Sequence, residues 1–267
     1  EITGVHWMGK NSVTKINIVN AETVTHFEDS NIGNVTLWTV CHGLALLTDF
    51  HCGSVSDGMK SIELAFFGCE KMSSCIFSGS NKITHLDSAW SGNLLLETCP
   101  TDSFTSATSA MSAWGNCYAL TSFDTSGLTS LLDASGAWYR CKALTSFNAS
   151  GLTSVTNVFG AWHTCQKLTS FDTSALTSAT NAKEAWKGCS KLASFNASGL
   201  TSIDTIQSAW QSCGLLVCIG GTLDTTSCTT KTDAFKFCFN ITSPDASTQT
   251  QLVSTAGLSW TNPGQCP

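Results

Sequence analysis

Arginine occurs once in this 267-residue chain, at Arg140, and charged residues of both signs make up only 12 % of it, with a formal net charge of −6. A surface this poor in cations does not suit phosphate reading, so nucleic acid is not expected as a partner. No run of 18 apolar residues occurs, so no membrane-inserted helix is expected. No basic segment followed by an apolar one opens the chain, so no signal peptide is expected. The missing initial Met suggests a processed or excised portion of something longer. H-E-x-x-H, G-x-S-x-G, G-x-G-x-x-G and the phosphate-binding loop are all absent. The chain therefore reads as a non-enzyme without a cofactor.

What the chain has is repetition. Trp90, Trp114, Trp138, Trp162, Trp186 and Trp210 follow one another at intervals of 24 residues. The same ruler reaches back to Phe66, then to Trp38 and Trp7 after intervals of 28 and 31, and forward to Phe235 and Trp260 at 25 each. All nine tryptophans are thus expected in one column. A period of this length marks a solenoid, in which stacked neighbours complete a core that no single unit can bury. One elongated domain is expected, of about ten coils of ~24 residues. An irregular N-terminal cap is placed at 1–36, the repeats at 37–241 and a C-terminal cap at 242–267.

Within the unit "AWYRCKALTSFNASGLTSVTNVFG", the positions held constant from unit to unit are Ala137, Trp138, Cys141, Leu144, Phe147, Leu152 and Val155. They are expected to line the interior. L-x-x-F followed by D/N-T/A-S reads as a strand with Leu and Phe inward. Gly-Leu-Thr-Ser reads as a turn, and A-W-x-x-C as a short helical turn, because offsets of one and four cluster on one side. Asp124, Asn148, Asp172 and Asn196 alternate at one strand position, which suggests growth by copying pairs of coils.

Of 14 cysteines, eight lie three residues after the column aromatic: Cys41, Cys69, Cys117, Cys141, Cys165, Cys189, Cys213 and Cys238. The expected role is a small buried side chain with a free thiol. Cys75 and Cys99 are one repeat apart, and coils stacked at about 4.8 Å would bring them within disulfide range. Cys41-His42 and His51-Cys52 have residue types that suit zinc, but their spacing is not a zinc spacing and Cys41 belongs to the core column, so no metal is expected.

The segment "AFFGCEKMSSCIF" at 65–77, with the later A-W-x-x-C-x-x-L-T-S-F-x-x-S-x-L-T-S units, resembles the BspA-like leucine-rich repeats of bacterial, protist and phage surface proteins. The resemblance covers roughly 37–241 and departs in having Trp where Phe is usual and in its irregular end coils. It implies a right-handed stack of coils with a parallel β-strand ladder and short helical or irregular arcs. It further implies adhesion to a host or cell-surface protein or glycan rather than catalysis, on a cell surface or as the distal part of a phage tail fibre. A structural solenoid, as a spacer or as a filament subunit joined end to end, is the alternative.

Function on such a frame is sought where coils differ. The stripe after each Trp and Cys carries Asn116, Tyr118, Tyr139, Arg140, Lys142, His163, Thr164, Gln166, Lys187 and Gln211. This mixture of aromatic, cationic and amide groups suits recognition, while neutral drift on a solvated face is the competing reading. The second candidate is the strand face, Ser122 and Asp124, Ser146 and Asn148, Ser170 and Asp172, Ser194 and Asn196, whose hydroxyl, amide and carboxylate ranks suit sugar hydroxyls. Ranks of small polar residues also raise ice binding, against which stands Asp and Ser where a flat Thr array would be needed. Sequons at Asn34, Asn148, Asn196 and Asn240 matter only in a eukaryotic secretory host.

Overall fold

The computed structural model of the chain describes residues 4–7, 26–29, 41–52, 60–77, 81–221, 223, 225 and 227–241. Its strands are short: β1 Gly4–Trp7, β2 His26–Asp29, β3 Asp49–Cys52, β4 Ser74–Phe77, β5 Ser122–Asp124, β6 Ser146–Asn148, β7 Ser170–Asp172, β8 Ser194–Asn196 and β9 Cys218–Gly220. Every pairing is parallel and joins one coil to the next, in the orders β1-β2-β3-β4, β5-β6 and β7-β8-β9. A second ladder of single bridges runs from Ser61 through His85, Ser109, Asp133, Asn157, Asn181 and Thr205 to Thr230. The chain is a solenoid of parallel coils, as its period requires. The strand ladder reaches into the segment assigned to the N-terminal cap, where β1 and β2 already pair. It lapses at 98–100, where Pro100 falls one period after Ile76 and brings no N–H to the ladder.

Aromatic columns form the core. Phe66, Trp90, Trp114, Trp138, Trp162, Trp186, Trp210 and Phe235 stack ring on ring at 4.8–6.1 Å, with successive planes within 14°. Phe123, Phe147, Phe171 and Phe195 form a second stack at 5.6–5.9 Å and meet the indoles edge-on, Trp162 and Phe171 at 4.5 Å and 61°. Each contact adds to what burial of the rings contributes. The constant positions of the repeat line this interior, with Phe147 only partly buried. Trp7 departs from the one-column expectation. It lies in β1 opposite Asp29, on the strand ladder, while Trp38 and Trp260 fall outside the described residues.

The A-W-x-x-C segment is not helical, and no helix occurs among the described residues. Its turns are closed by bonds such as Tyr139 N–H to Gly136 O (3.0 Å) and Cys141 N–H to Trp138 O (3.2 Å). The amide of Trp138 leaves the turn and donates to Ala161 O in the next coil at 2.9 Å. Two left-handed residues per coil, here Gly136 (φ 62°) and Arg140 (φ 59°), forbid a helix. They allow the turn itself to stack.

The cysteine column does more than fill space. The thiols of Cys117, Cys141, Cys165, Cys189, Cys213 and Cys238 donate to the carbonyls of Trp90, Trp114, Trp138, Trp162, Trp186 and Trp210 in the preceding coil, at 2.8–3.3 Å. All are free thiols, and burial pushes those of Cys141 and Cys189 up to about 12. No disulfide joins Cys75 to Cys99, which corrects the expected bridge. The ladder that would hold them in register lapses beside Cys99, at Pro100. Cys41 sits in the core and its carbonyl accepts the Cys69 thiol, while the His42 ring stacks on Phe67 at 5.2 Å. The pair is committed to packing. The side chains of His51 and Cys52 lie outside the described residues.

Asn93 occupies the column position between Cys69 and Cys117, is 0 % exposed, and has no hydrogen-bond partner for either amide atom. A buried unsatisfied amide costs about 1–3 kcal/mol. Asn93→Cys restores a side chain that fits the column and is expected to raise the unfolding free energy by about 1–3 kcal/mol. A urea titration of the two proteins side by side checks this, and an unchanged or lowered midpoint would count against it.

Candidate functional site

Both candidate faces are arranged by the coil geometry. The position two after each Trp or Phe of the column is left-handed in coil after coil, as at Asn116 (φ 61°), Arg140 (φ 59°), Thr164 (φ 65°) and Ser212 (φ 64°), with Gly68, Gly92 and Gly188 at the same place. Variation there is restricted by the backbone, since a β-branched residue such as Thr164 tolerates this region poorly. The position one after Trp carries no such restriction. Its residues Tyr139, His163 and Lys187 are half-buried neighbours in successive coils.

A depression of about 350 Å³ opens beside them, lined by Met111, Ser112, Ser135, Gly136, Tyr139, Phe159, Gly160, His163 and Glu184. It exists because two coils lack a side chain. Gly136 and Gly160 occupy a left-handed position that Leu64, Ser88, Ser112, Glu184, Ser208 and Asp233 fill in other coils. A Cβ on Gly160 would meet nothing within 4 Å. The apolar walls are Met111 and Phe159, 44 % and 41 % exposed.

A chain of contacts crosses the depression from coil to coil. The Tyr139 and His163 rings meet edge-to-face at 5.3 Å, His163 Nδ1 lies 3.8 Å from Glu184 Oε2, and Lys187 Nζ lies 3.3 Å from the same oxygen. Burial, then the Lys187 ammonium, holds His163 below its ordinary pKa against the pull of Glu184, and Arg140 adds to the depression. His163 is therefore chiefly neutral at pH 7. Arg140 lies over the Tyr139 ring at 5.0 Å and Lys183 over the Phe159 ring at 5.9 Å.

The structure thus brings Tyr139, Arg140, His163 and Lys187 together. Of these four, Tyr139 and His163 line the depression while Arg140 and Lys187 contact lining residues; Tyr118 and Lys142 form their own cation–π pair at 4.4 Å, and Asn116, Thr164, Gln166 and Gln211 are not in the lining. Met111, Phe159, Glu184 and the two glycines line this candidate site, and Lys183 contacts it, although the sequence pattern did not single them out. The one signal for them is the gap that Gly136 and Gly160 leave in their column.

On the strand face, a groove of about 790 Å³ is lined by Ser146, Ser170, Ser194, Asp172, Asn196, Gly220, Gly221 and the three phenylalanines between the serines. The carboxylates of the strand face, Asp172 in the groove lining and Asp124 outside it, are already engaged. Asp124 accepts the Asn148 amide at 2.9 Å and the Ser126 N–H at 3.0 Å, and Asp172 accepts the Asn196 amide and the Ser174 N–H, both at 2.9 Å. The alternation of Asp and Asn has a structural use: each amide donates to the carboxylate one coil before it, and no two carboxylates face each other directly. The single-bridge ladder does the same, Asn181 donating to Asn157 and Asn157 to Asp133, at 3.1 Å each.

No family model and no curated protein matches the chain. Among solved structures it is similar to a leucine-rich cell surface protein from Faecalibacterium prausnitzii A2-165, with 17 % identity and a TM-score of 0.39 over 78 % of this chain and 66 % of that one. It is similar to a leucine-rich repeat protein from Eubacterium ventriosum, at 16 % identity and a TM-score of 0.44, over 84 % of this chain and 71 % of that one. It is also similar to the leucine-rich repeat protein of T. pallidum, at 13 % identity and a TM-score of 0.36, over 98 % and 92 % of the two chains. The solenoid itself rests on the strand register described above.

Proposed function

We propose that the chain is a non-catalytic recognition module, displayed on the outside of a cell or virion, that takes a protein partner onto the stripe around the Tyr139 depression. The observation that carries this reading is the depression: a pit at two glycines, walled by exposed apolar side chains and edged by Tyr and Arg. Such sites are concave, largely apolar and fixed by a few polar groups, and Tyr and Arg are over-represented among residues that dominate binding. The strand face is the weaker candidate, because its carboxylates and amides already hold the coils together.

The test uses the protein's adherence to a panel of cultured cells and to a glycan array. Tyr139→Ala with Arg140→Ala is expected to weaken adherence at least about tenfold while leaving stability within about 0.5 kcal/mol of the parent. Gly160→Leu fills the pit with a side chain that Leu64 already carries at φ 56°, against 58° for Gly160, and is expected to block adherence without unfolding the chain. Adherence that survives both changes, yet is lost on Asp124→Ala with Asp172→Ala, moves the function to the strand face.

A further inference from the structure

We infer that acidification releases the partner from the Tyr139 depression: a proton taken up by His163, whose ring stands in the wall between Tyr139 and Glu184, places a charge under the apolar side chain that the depression receives. The inference rests on the recognition reading above and adds its regulation.

The fixed charges around the depression cancel. Arg140, Lys183 and Lys187 each contact a lining residue, and Glu184 in the lining, Asp87 on Met111 and Asp133 on Ser135 match them three to three. A site balanced in this way, with Met111 and Phe159 as exposed apolar walls, favours an uncharged side chain of a protein over an ionic ligand. His163 is the one lining group whose charge ordinarily changes between about pH 5 and 8. Its protonation state therefore sets the net charge of the site.

The surroundings make that proton costly. Asp87 is held by the Ser109 hydroxyl and the Met111 N–H, and Asp133 by the N–H and hydroxyl of Ser135 and by the Asn157 amide. The carboxylate that meets the imidazole is Glu184, at 3.8 Å, and Lys187 already holds the same oxygen at 3.3 Å. From the preceding coil the ring faces Tyr139 at 5.3 Å and Arg140, which adds repulsion, while Lys183 of the following coil lies over Phe159. An imidazolium here has only a shared counter-ion and depends on water, which reaches it through the 25 % of its side chain that is exposed. An apolar side chain seated between Met111 and Phe159 displaces that water, and a charge buried without full pairing is strongly disfavoured. Burial, then Lys187, holds the pKa of His163 below 6.5 before any ligand arrives, and the ligand lowers it further. Binding thus excludes one proton. It has full strength above that pKa and weakens by up to about tenfold for each pH unit below it.

The experiment measures adherence of the full chain to the panel of cultured cells at about pH 7.5 and about pH 5.5, within the range where histidine titrates. In parallel, N-acetyl-leucine amide, an uncharged probe, is titrated at both pH values and followed through the imidazole resonances. His163→Gln identifies the His163 signals among those of His6, His26, His42, His51 and His85, none of which lines the depression. The parent is expected to lose at least about fivefold in both assays on acidification, and His163→Gln to bind alike at the two pH values whatever its affinity. Lys187→Gln is expected to raise the pH midpoint and Glu184→Gln to lower it, opposite shifts that structural damage alone does not produce. These two variants carry the test if His163→Gln misfolds, with near-ultraviolet dichroism of the Trp stack reporting the fold. Equal binding by the parent at both pH values, an acid loss retained by folded His163→Gln, unmoved midpoints in both charge variants, or a probe that leaves the His163 resonances unchanged at the higher pH overturns the inference. Adherence that survives Tyr139→Ala with Arg140→Ala removes the recognition reading and this inference with it. If that pair abolishes adherence while pH has no effect, the recognition site stands and the switch alone is rejected.

Discussion

Trp162→Ala is expected to lower the unfolding free energy by about 3–5 kcal/mol, read from urea titration followed by far-ultraviolet dichroism. Trp162 is fully buried, stacked between Trp138 and Trp186 at 5.4 Å on both sides, with Phe147 and Phe171 against its edges at 5.1 and 4.5 Å. The space it would leave cannot close by collapse. Backbone bonds on either side, Trp138 N–H to Ala161 O and Trp162 N–H to Ala185 O, hold the coil spacing from outside the core. Because each coil touches only its neighbours, the damage is local and uncouples the two halves of the stack, so unfolding is also expected to lose its single cooperative transition. Trp162→Phe is the control. It keeps the ring stack, as Phe66 and Phe235 do at the two ends, and removes an indole N–H that has no acceptor. Its expected cost is about 1 kcal/mol. A loss under about 1 kcal/mol for the Ala variant would mean that the aromatic column is not what joins the coils.

The column was legible in the sequence because a solenoid must present the same face at every turn, so a large buried side chain recurs at one position of the unit. The same ruler failed at Trp7. Strand partners at the N-terminus are Gly4, His26, Asp49 and Ser74, steps of 22, 23 and 25 residues, so an interval of 31 back to Trp7 counted a residue of the strand ladder as one of the core column. The helical reading of A-W-x-x-C failed for a different reason. A tight arc with two left-handed residues clusters the same offsets on its inner side as a helical turn does, and no apolar pattern distinguishes the two.

The site was half legible. Tyr139, Arg140, His163 and Lys187 stood out as variable residues on a constant frame, and the structure gathers them. The depression did not stand out, because it is made of missing side chains at Gly136 and Gly160, and a scan for chemistry-bearing residues passes over glycine. Glu184 was missed because it shares its column with serines, an aspartate and a leucine, and only the stacking of coils places it beside His163.

Gly151→Ala is expected to cost about 3 kcal/mol or more, the second large effect, and it follows from a glycine that sequence reasoning took for a turn former. Its φ is not positive; the constraint is space. A Cβ on Gly151 would lie 1.7 Å from Thr125 O, and the same test gives 2.1 Å for Gly127 against Thr101 and 1.6 Å for Gly199 against Thr173. The remaining member of this column is Ala175, and the residue one coil before it is Ala149, whereas Gly127, Gly151 and Gly199 follow Thr101, Thr125 and Thr173. The threonine draws the coils together. Thr125 Oγ1 donates to Asn148 O at 2.9 Å and accepts from Gly151 N–H at 3.2 Å, and Thr173 does the same with Asn196 and Gly199. Glycine is therefore required where threonine precedes it by one coil, and Thr125→Ala alone is expected to cost about 1–2 kcal/mol through the lost hydroxyl bonds. The double variant Thr125→Ala with Gly151→Ala copies the native Ala149 and Ala175 pair. It is expected to be more stable than Gly151→Ala alone, with a coupling of at least about 1 kcal/mol in a double-mutant cycle by urea titration. Simple addition of the two single losses would show that the close approach at Gly151 is set by the ladder rather than by the threonine.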